Sequence, residues 1–227
     1  MLKNIEDDTF RQLDIAFGVS LGLFVKQKLY YKNKTVFKRI LLLLLLNKVI
    51  IGMDENFKTK LNRVKTFLFD VDGVLTDGSI ALLPNGEQIR TMNTKDGYAM
   101  QLAVKNGYRI AIISGGKSES VRVRLNGLGI TDIYLGVSNK LDIYKEYIEI
   151  HNLNPVDILY MGDDVPDYEV MQRIGIPTCP NDSAPEIKTL CIYVSDKKGG
   201  HGCVRDVIEQ VMKAQGTWEI SSTIQSI

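Results

Sequence analysis

Four short groups of polar residues carry the chemistry available to this chain. Asp70-Val71-Asp72-Gly73 sets two carboxylates two residues apart, a spacing that sends both to the same side of an extended segment. Gly162-Asp163-Asp164-Val165-Pro166-Asp167 supplies three more. Such groups suit magnesium, which prefers oxygen ligands and keeps several waters. A carboxylate is a weak nucleophile, but it can attack phosphorus once a metal offsets the substrate's charge. Ser114-Gly115-Gly116 can bring a hydroxyl and unhindered backbone N–H groups to an anion, and Lys140 adds a cation. Each group alone also has a plainer reading. Asp and Gly are common in turns and Ser-Gly-Gly is common in loops. A lysine at a helix start is usually solvated, and Asp164 and Asp167 could simply be acids favoured at a helix N-terminus.

What joins the four groups is the elements before them. Val64–Phe69 is a short apolar, aromatic-rich run that reads as a buried parallel strand, and Asp70 follows it directly. Strands are also expected at Arg109–Ile113, Ile133–Leu135, Asp157–Met161, Ile176–Cys179 and Ile192–Val194. Helices are expected at Asp96–Asn106, Ser118–Leu128, Lys140–His151, Pro166–Ile174 and Val204–Gln215. Strands alternating with helices specify an α/β fold: a Rossmann-like three-layer sandwich, with a parallel sheet and helices on both faces. Gly78–Met92, centred on Pro84-Asn85-Gly86, reads as one protruding β-hairpin. Ligands of such sheets bind at the carboxyl ends of the strands, so the four groups should converge on one edge.

Phe67 to Gly78, reading FLFDVDGVLTDG, resembles the first motif of haloacid dehalogenase-type phosphatases, and the other groups resemble the second to fourth motifs in family order. The resemblance implies that Asp70 attacks phosphorus to form an aspartyl-phosphate. Asp72 would protonate the leaving oxygen and then activate water. It further implies that Ser114 binds the phosphoryl group and that Lys140 offsets charge on the phosphate and the nucleophile. Mg²⁺ would be held by Asp70, Asp163 and the backbone carbonyl of Asp72, with Asp164 and Asp167 behind them. The intervals between motifs leave no room for a cap domain.

Thr76-Asp77-Gly78, Thr94 to Tyr98, Ser138-Asn139-Lys140 and Gly199 to Asp206 are similar to one capless branch, the 3-deoxy-D-manno-octulosonate 8-phosphate phosphatases. This implies a sugar-phosphate substrate and a homotetramer, in which hairpins pack together and neighbouring subunits cover the site. Gly73, Thr76, Gly115, Lys95, His201 and Arg205 become candidates for substrate binding. One position departs from the pattern: many members carry Arg after the Ser/Thr-Gly of the second motif, and this chain has Gly116. A keto-deoxy-nonulosonate 9-phosphate, another small phosphomonoester, or an inactive assembly domain of the same fold are the competing readings.

Composition agrees with a globular enzyme. Apolar residues make up 44% and charged residues 24%, and a net charge of +1 points to no nucleic acid. Charge is uneven: residues 1–52 hold nine basic against four acidic residues, whereas residues 53–227 hold nineteen against twenty-three. The apolar run Ile40–Leu46 is seven residues, short of the about 20 that span a membrane, so no stable membrane insertion is expected. Residues 1–52 read as an extension, most simply sequence upstream of a start at Met53; a packed or disordered segment and a membrane-adsorbed helix are the alternatives. Residues 53–227 then form the phosphatase domain. Cys179, Cys191 and Cys203 lack zinc-site spacing and are expected to be reduced thiols of a cytoplasmic protein.

Overall fold

The structure, a computed structural model, describes residues 57–219. The expected N-terminal extension, its boundary at Met53 and the apolar run Ile40–Leu46 lie outside the described residues. Six strands form one parallel sheet: β1 (Thr66–Phe69), β4 (Arg109–Ser114), β5 (Asp132–Leu135), β6 (Ile158–Met161), β7 (Ile176–Cys179) and β8 (Tyr193–Val194), in the order β5-β4-β1-β6-β7-β8. β1 is central and pairs in register with both neighbours, Phe69 lying opposite Ile112 and Met161. All four residues of β1 and all four of β6 are buried, which explains their continuous apolar sequences.

Side chains alternate between two cores, as the two-residue period of a strand requires. Phe67 and Phe69 of β1 and Ile110 and Ile112 of β4 face one layer. Leu68, Ala111 and Ile113 face the other. The first layer is closed by α2 (Thr94–Lys105), α3 (Glu119–Gly127) and α7 (Cys203–Ala214). α7 buries Val204, Val207, Ile208, Val211 and Met212, an apolar stripe at helical spacing. The second layer is closed by α4 (Lys140–Ile150), α5 (Tyr168–Met171) and α6 (Pro185–Leu190). A short turn of helix, α1 (Phe57–Lys60), precedes β1. This is the three-layer α/β sandwich expected from the sequence.

Two elements differ from expectation. The helix expected over Pro166–Ile174 is a 3₁₀ turn at Val165–Asp167 followed by the four residues of α5. α6 was not foreseen, because only Ile187 of its six residues is buried and so no apolar period marks it.

The hairpin β2 (Ala81–Leu82) and β3 (Gln88–Ile89) is a separate two-stranded antiparallel sheet. Its apolar residues are unusually open, with Leu82 75% and Ile89 45% exposed. Among the described residues no helix is long and apolar enough to cross a membrane.

The chain runs outward from β1 to β4 and β5, then returns through α4 to β6 on the other side of β1. Connections therefore leave β1 and β6 in opposite directions, and the crevice beyond their carboxyl ends is where such sheets take ligands.

Candidate active site

Asp70 leaves β1 at that crevice. Its backbone N–H still bonds Met161 of the neighbouring strand, so the sheet fixes its position. Its side chain is held at both oxygens: Oδ1 accepts the Val71 N–H at 2.6 Å, and Oδ2 lies 2.8 Å from Nζ of Lys140. Burial raises the Asp70 carboxyl to about 6, against the pull of Lys140.

Beyond Asp70 the backbone coils over Val71–Leu75, with Gly73 at a φ of +86°. A Cβ at Gly73 would lie 2.0 Å from Oδ2 of Asp163, so only glycine lets this turn approach the fourth motif. The buried hydroxyl of Thr76 ties the turn together. It accepts the N–H groups of Gly73 and Gly78 at 3.3 and 3.2 Å and donates to the Val71 carbonyl.

Lys140 is the first residue of α4, placed there by the Asn139 side chain, which accepts the Leu141 N–H as an N-cap. Its ammonium bonds Asp167 at 2.7 Å and is buried, with 6% of the side chain exposed. Asp167 is the most enclosed acid of the site: it also accepts from the Tyr160 hydroxyl and from the N–H groups of Asp163 and Asp164. Asp164 is exposed.

Carboxylate oxygens of Asp70, Asp163 and Asp167 lie within 4.8 Å of one another. Burial first, and then the charges of Asp70 and Asp167, raise the Asp163 carboxyl to about 8. Its Oδ1 is buried with no hydrogen-bond partner. An acceptor left unsatisfied amid like charges is what a divalent cation would satisfy, and the all-oxygen donor set suits magnesium.

Ser114 ends β4 beside this cluster, 2% exposed, its Oγ accepting the Gly116 N–H at 3.2 Å. Asp70, Asp72, Ser114, Gly115 and Lys140 all line one cleft of about 620 Å³. The carboxylate of Asp72 points to a partner that sequence reasoning missed: Arg90 donates Nε to Oδ1 at 2.6 Å and Nη2 to Oδ2 at 3.0 Å. No motif surrounds Arg90, and only the path of the hairpin brings it back.

Other candidates lie elsewhere. Lys95 is exposed near the start of α2. His201 is exposed and its Nδ1 contacts the Gly199 carbonyl at 2.7 Å. Arg205 pairs with Glu209 and stands over the rings of Tyr98 and Trp218. None of the three lines the cleft. Thr76 lies behind it, within the first-motif turn, and Gly199 and Gly200 pack against that same turn, Gly200 donating to Val74 O. Asp96, also unforeseen, is buried and accepts from the N–H groups of Gly202 and Arg205 at the start of α7.

No family model matches the chain. The chain is similar to the 3-deoxy-D-manno-octulosonate 8-phosphate phosphatase KdsC of Salmonella typhi, 37% identical over 158 residues that make up 70% of this chain and 84% of that protein. It is as similar to the enzyme of Escherichia coli K12, at 37% over 157 residues, 69% of this chain and 84% of that one. Among solved structures, the 3-deoxy-D-manno-octulosonate 8-phosphate phosphatase of Moraxella catarrhalis, in complex with magnesium, phosphate and KDO, matches with a TM-score of 0.69 and 30% identity, over 72% of this chain and 94% of that one. The Yersinia pestis enzyme matches with a TM-score of 0.70 and 32% identity, over 72% and 88%. With four motifs gathered at one switch point and relatives matched over most of their length, the chain belongs to the 3-deoxy-D-manno-octulosonate 8-phosphate phosphatase family of the haloacid dehalogenase superfamily.

Proposed function

We propose that this chain is a magnesium-dependent phosphomonoesterase that hydrolyses 3-deoxy-D-manno-octulosonate 8-phosphate to the free sugar acid and phosphate, a step of lipopolysaccharide sugar synthesis. The observation that carries the reading is the buried set at the end of β1, in which Asp70 is held between Val71 and Lys140 beside an unsatisfied Asp163 oxygen. An inactive assembly domain would have no need to bury three carboxylates together.

In this reading Asp70 is the nucleophile. The N–H of Val71 fixes one of its oxygens, and Lys140 steadies the other while offsetting charge that gathers on the phosphoryl group. As the bond from Asp70 to phosphorus forms, the bond to the sugar oxygen breaks, and Asp72 delivers a proton to that oxygen. Asp72 then takes a proton from the water that attacks the aspartyl-phosphate, which releases phosphate and restores Asp70. Ser114 and the N–H groups of the glycines after it hold the phosphoryl oxygens. Asp70, Asp163 and the backbone carbonyl of Asp72 would hold Mg²⁺, which supplies the charge neutralisation that lets one anion attack another. Asp167 and Asp164 act behind that set, Asp167 by orienting Lys140.

The enzyme acts as a homotetramer in the cytoplasm. Support for assembly comes from the hairpin, whose Leu82 and Ile89 expose apolar surface that a second copy would cover. A cleft without a cap gains enclosure the same way.

The test is phosphate release from 3-deoxy-D-manno-octulosonate 8-phosphate, from the nonulosonate 9-phosphate and from simple sugar phosphates, with and without Mg²⁺. Preference for the eight-carbon substrate, abolished by Asp70→Asn, is expected. Turnover that survives Asp70→Asn would overturn the nucleophile assignment, and preference for the nine-carbon substrate would overturn the substrate.

A further inference from the structure

Among the described residues, two buried side-chain polar atoms have no hydrogen-bond partner: Oδ1 of Asp163 and Nη1 of Arg90. Buried polar groups are nearly always paired, so each exception calls for a cause. The first is an acceptor in a cluster of carboxylates, and a cation accounts for it. The second is a donor on a guanidinium, and by the same reasoning an anion accounts for it.

Arg90 lies behind the cleft wall, packed against Asp72 and Gly116, which line it. Its side chain is 3% exposed, although it belongs to the end of an exposed hairpin. It grips both oxygens of Asp72, whose own side chain is 30% exposed, so the pair sits at the edge of the cleft with the cation as its inner member. Gly116 marks how close Arg90 comes to Ser114-Gly115-Gly116. A Cβ there would lie 3.0 Å from Nη2 of Arg90 and 2.9 Å from Oδ2 of Asp72. The position where this chain departs from the family pattern thus lies against both members of the pair, and a side chain there would press on their outer ends.

The pairing also poses a chemical problem. Both carboxylate oxygens of Asp72 are taken up by the guanidinium, so neither is open to a substrate. This pairing is therefore a resting one, and Asp72 must be let go before either oxygen can reach a substrate.

We infer that Arg90 is a phosphoryl-binding residue held in reserve by Asp72. When a phosphate ester enters, its oxygens replace the Asp72 carboxylate as acceptors for Arg90, Nη1 gains its missing partner, and Asp72 is released to exchange protons at the leaving oxygen. No covalent bond changes in this exchange; one ion pair is traded for another. The inference rests on the phosphatase reading above and adds to it the residue that links substrate arrival to the acid.

The test measures binding of inorganic phosphate to the full chain loaded with Mg²⁺, by calorimetry, alongside turnover. Loss of a charged hydrogen-bonding partner is expected to weaken phosphate binding about ten- to a hundredfold in Arg90→Met. Arg90→Lys should recover part of the loss, and Gly116→Val, which fills the space beside Nη2, should reproduce it. Asp72→Asn should bind phosphate more tightly than the wild type. The part of that gain due to release of Arg90 should vanish in the Asp72→Asn, Arg90→Met double variant. Unchanged phosphate binding in Arg90→Met would overturn the inference. So would weakened binding of the free sugar acid with phosphate unaffected, which would make Arg90 a carboxylate receptor. Should Arg90→Met fail to fold, Arg90→Lys and Arg90→Gln carry the same comparison. A wild-type protein without Mg²⁺-dependent turnover would sink the phosphatase reading itself, a result distinct from either.

Discussion

Lys140 holds its ammonium 2.8 Å from Oδ2 of Asp70 with only 6% of its side chain exposed, and its second partner, Asp167, is more deeply buried still. A buried cation between two carboxylates is a structural element whatever its part in the proposed reaction. Removing one member of a buried pair leaves uncompensated charge and costs about 3–5 kcal/mol. Lys140→Met should therefore lose activity and destabilise the metal-free protein by that order at pH 8. The penalty should shrink at pH 5, where Asp70 can take up a proton in place of the lost cation. Denaturant titrations at the two pH values check this, and an equal loss at both would count against it.

The carboxylate cluster predicts how metal and pH act together. Asp163 is raised to about 8 and Asp70 to about 6, burial being the largest cause in each. Both lie above the ordinary aspartate value of about 3.9, so the folded state holds these protons more tightly than the unfolded chain. Stability contributed by the protonated forms is full below about pH 4 and is lost as pH rises through about 6 and then about 8. Mg²⁺ binds the ionised carboxylates, so it should restore what the metal-free protein loses. The melting-temperature gain on adding Mg²⁺ is expected to be larger at pH 8 than at pH 6. A gain independent of pH would show that these carboxylates do not hold the ion.

Asp163→Asn isolates the same effect. The variant keeps the size of the side chain and removes one of three crowded charges. Without metal, at pH 8, it should melt above the wild type, each kcal/mol of relieved repulsion being worth about 2–4 °C for a domain of this size. It should also lose the response to Mg²⁺ and its turnover. A variant less stable than the metal-free wild type would indicate that Asp163 serves the fold through some other contact.

Much of this site was legible in the sequence, and the reason is local. Asp70, Ser114 and Asp163 each lie at, or within two residues of, the end of a strand of four to six largely apolar residues, and parallel topology then brings the strand ends together. Lys140 was legible through its resemblance to the third motif; its place at the start of a helix capped by Asn139 pointed only to a solvated lysine. What escaped detection depends on paths, not runs. Arg90 meets Asp72 from eighteen residues along the chain, and the path by which the hairpin expected over Gly78–Met92 returns to Asp72 could not be read from its composition. Tyr160 looked like one more apolar strand residue, yet its hydroxyl is committed to Asp167. Asp167 had two readings, an acid behind the metal set and a helix-cap acid, and the sequence did not decide between them. Its inward turn toward Lys140 and Tyr160 accompanies a 3₁₀ turn where a longer helix was expected. Lys95, His201 and Arg205 came from the resemblance alone, and within one chain none of them lines the cleft.

Thr76 offers a test of the first-motif turn that leaves every cleft-lining group in place. Its hydroxyl accepts from Gly73 and Gly78 and donates to Val71, all within the loop that carries Asp72. Thr76→Val preserves the shape but leaves two N–H groups without their acceptor, at a cost of about 1–3 kcal/mol for a buried donor. Thr76→Ser keeps the oxygen and should be close to neutral in activity. The valine variant is expected to lose kcat through a loosened Asp72, with metal binding at Asp163 retained. Normal kcat in Thr76→Val would mean that Gly73 and the packing of Gly199 and Gly200 suffice to hold the turn.

The hairpin provides the last prediction, since it decides whether the open cleft is the working form. Leu82 is 75% exposed and Ile89 45%; Leu82 pairs with Gln88 and Ile89 with Ala81, so the two apolar side chains stand on opposite faces of a two-stranded sheet too small to be stable alone. In the proposed tetramer, other copies of the chain would cover both faces. Leu82→Glu with Ile89→Glu places like charges at the contact and should shift the mass measured by light scattering from tetramer toward smaller species. Turnover should fall with the mass, because the uncapped cleft loses the neighbour that encloses it, while the melting response to Mg²⁺ persists because Asp70 and Asp163 belong to a single chain. A tetramer that survives both substitutions would place the assembly contact elsewhere, and a monomer with full activity would show that the cleft works open.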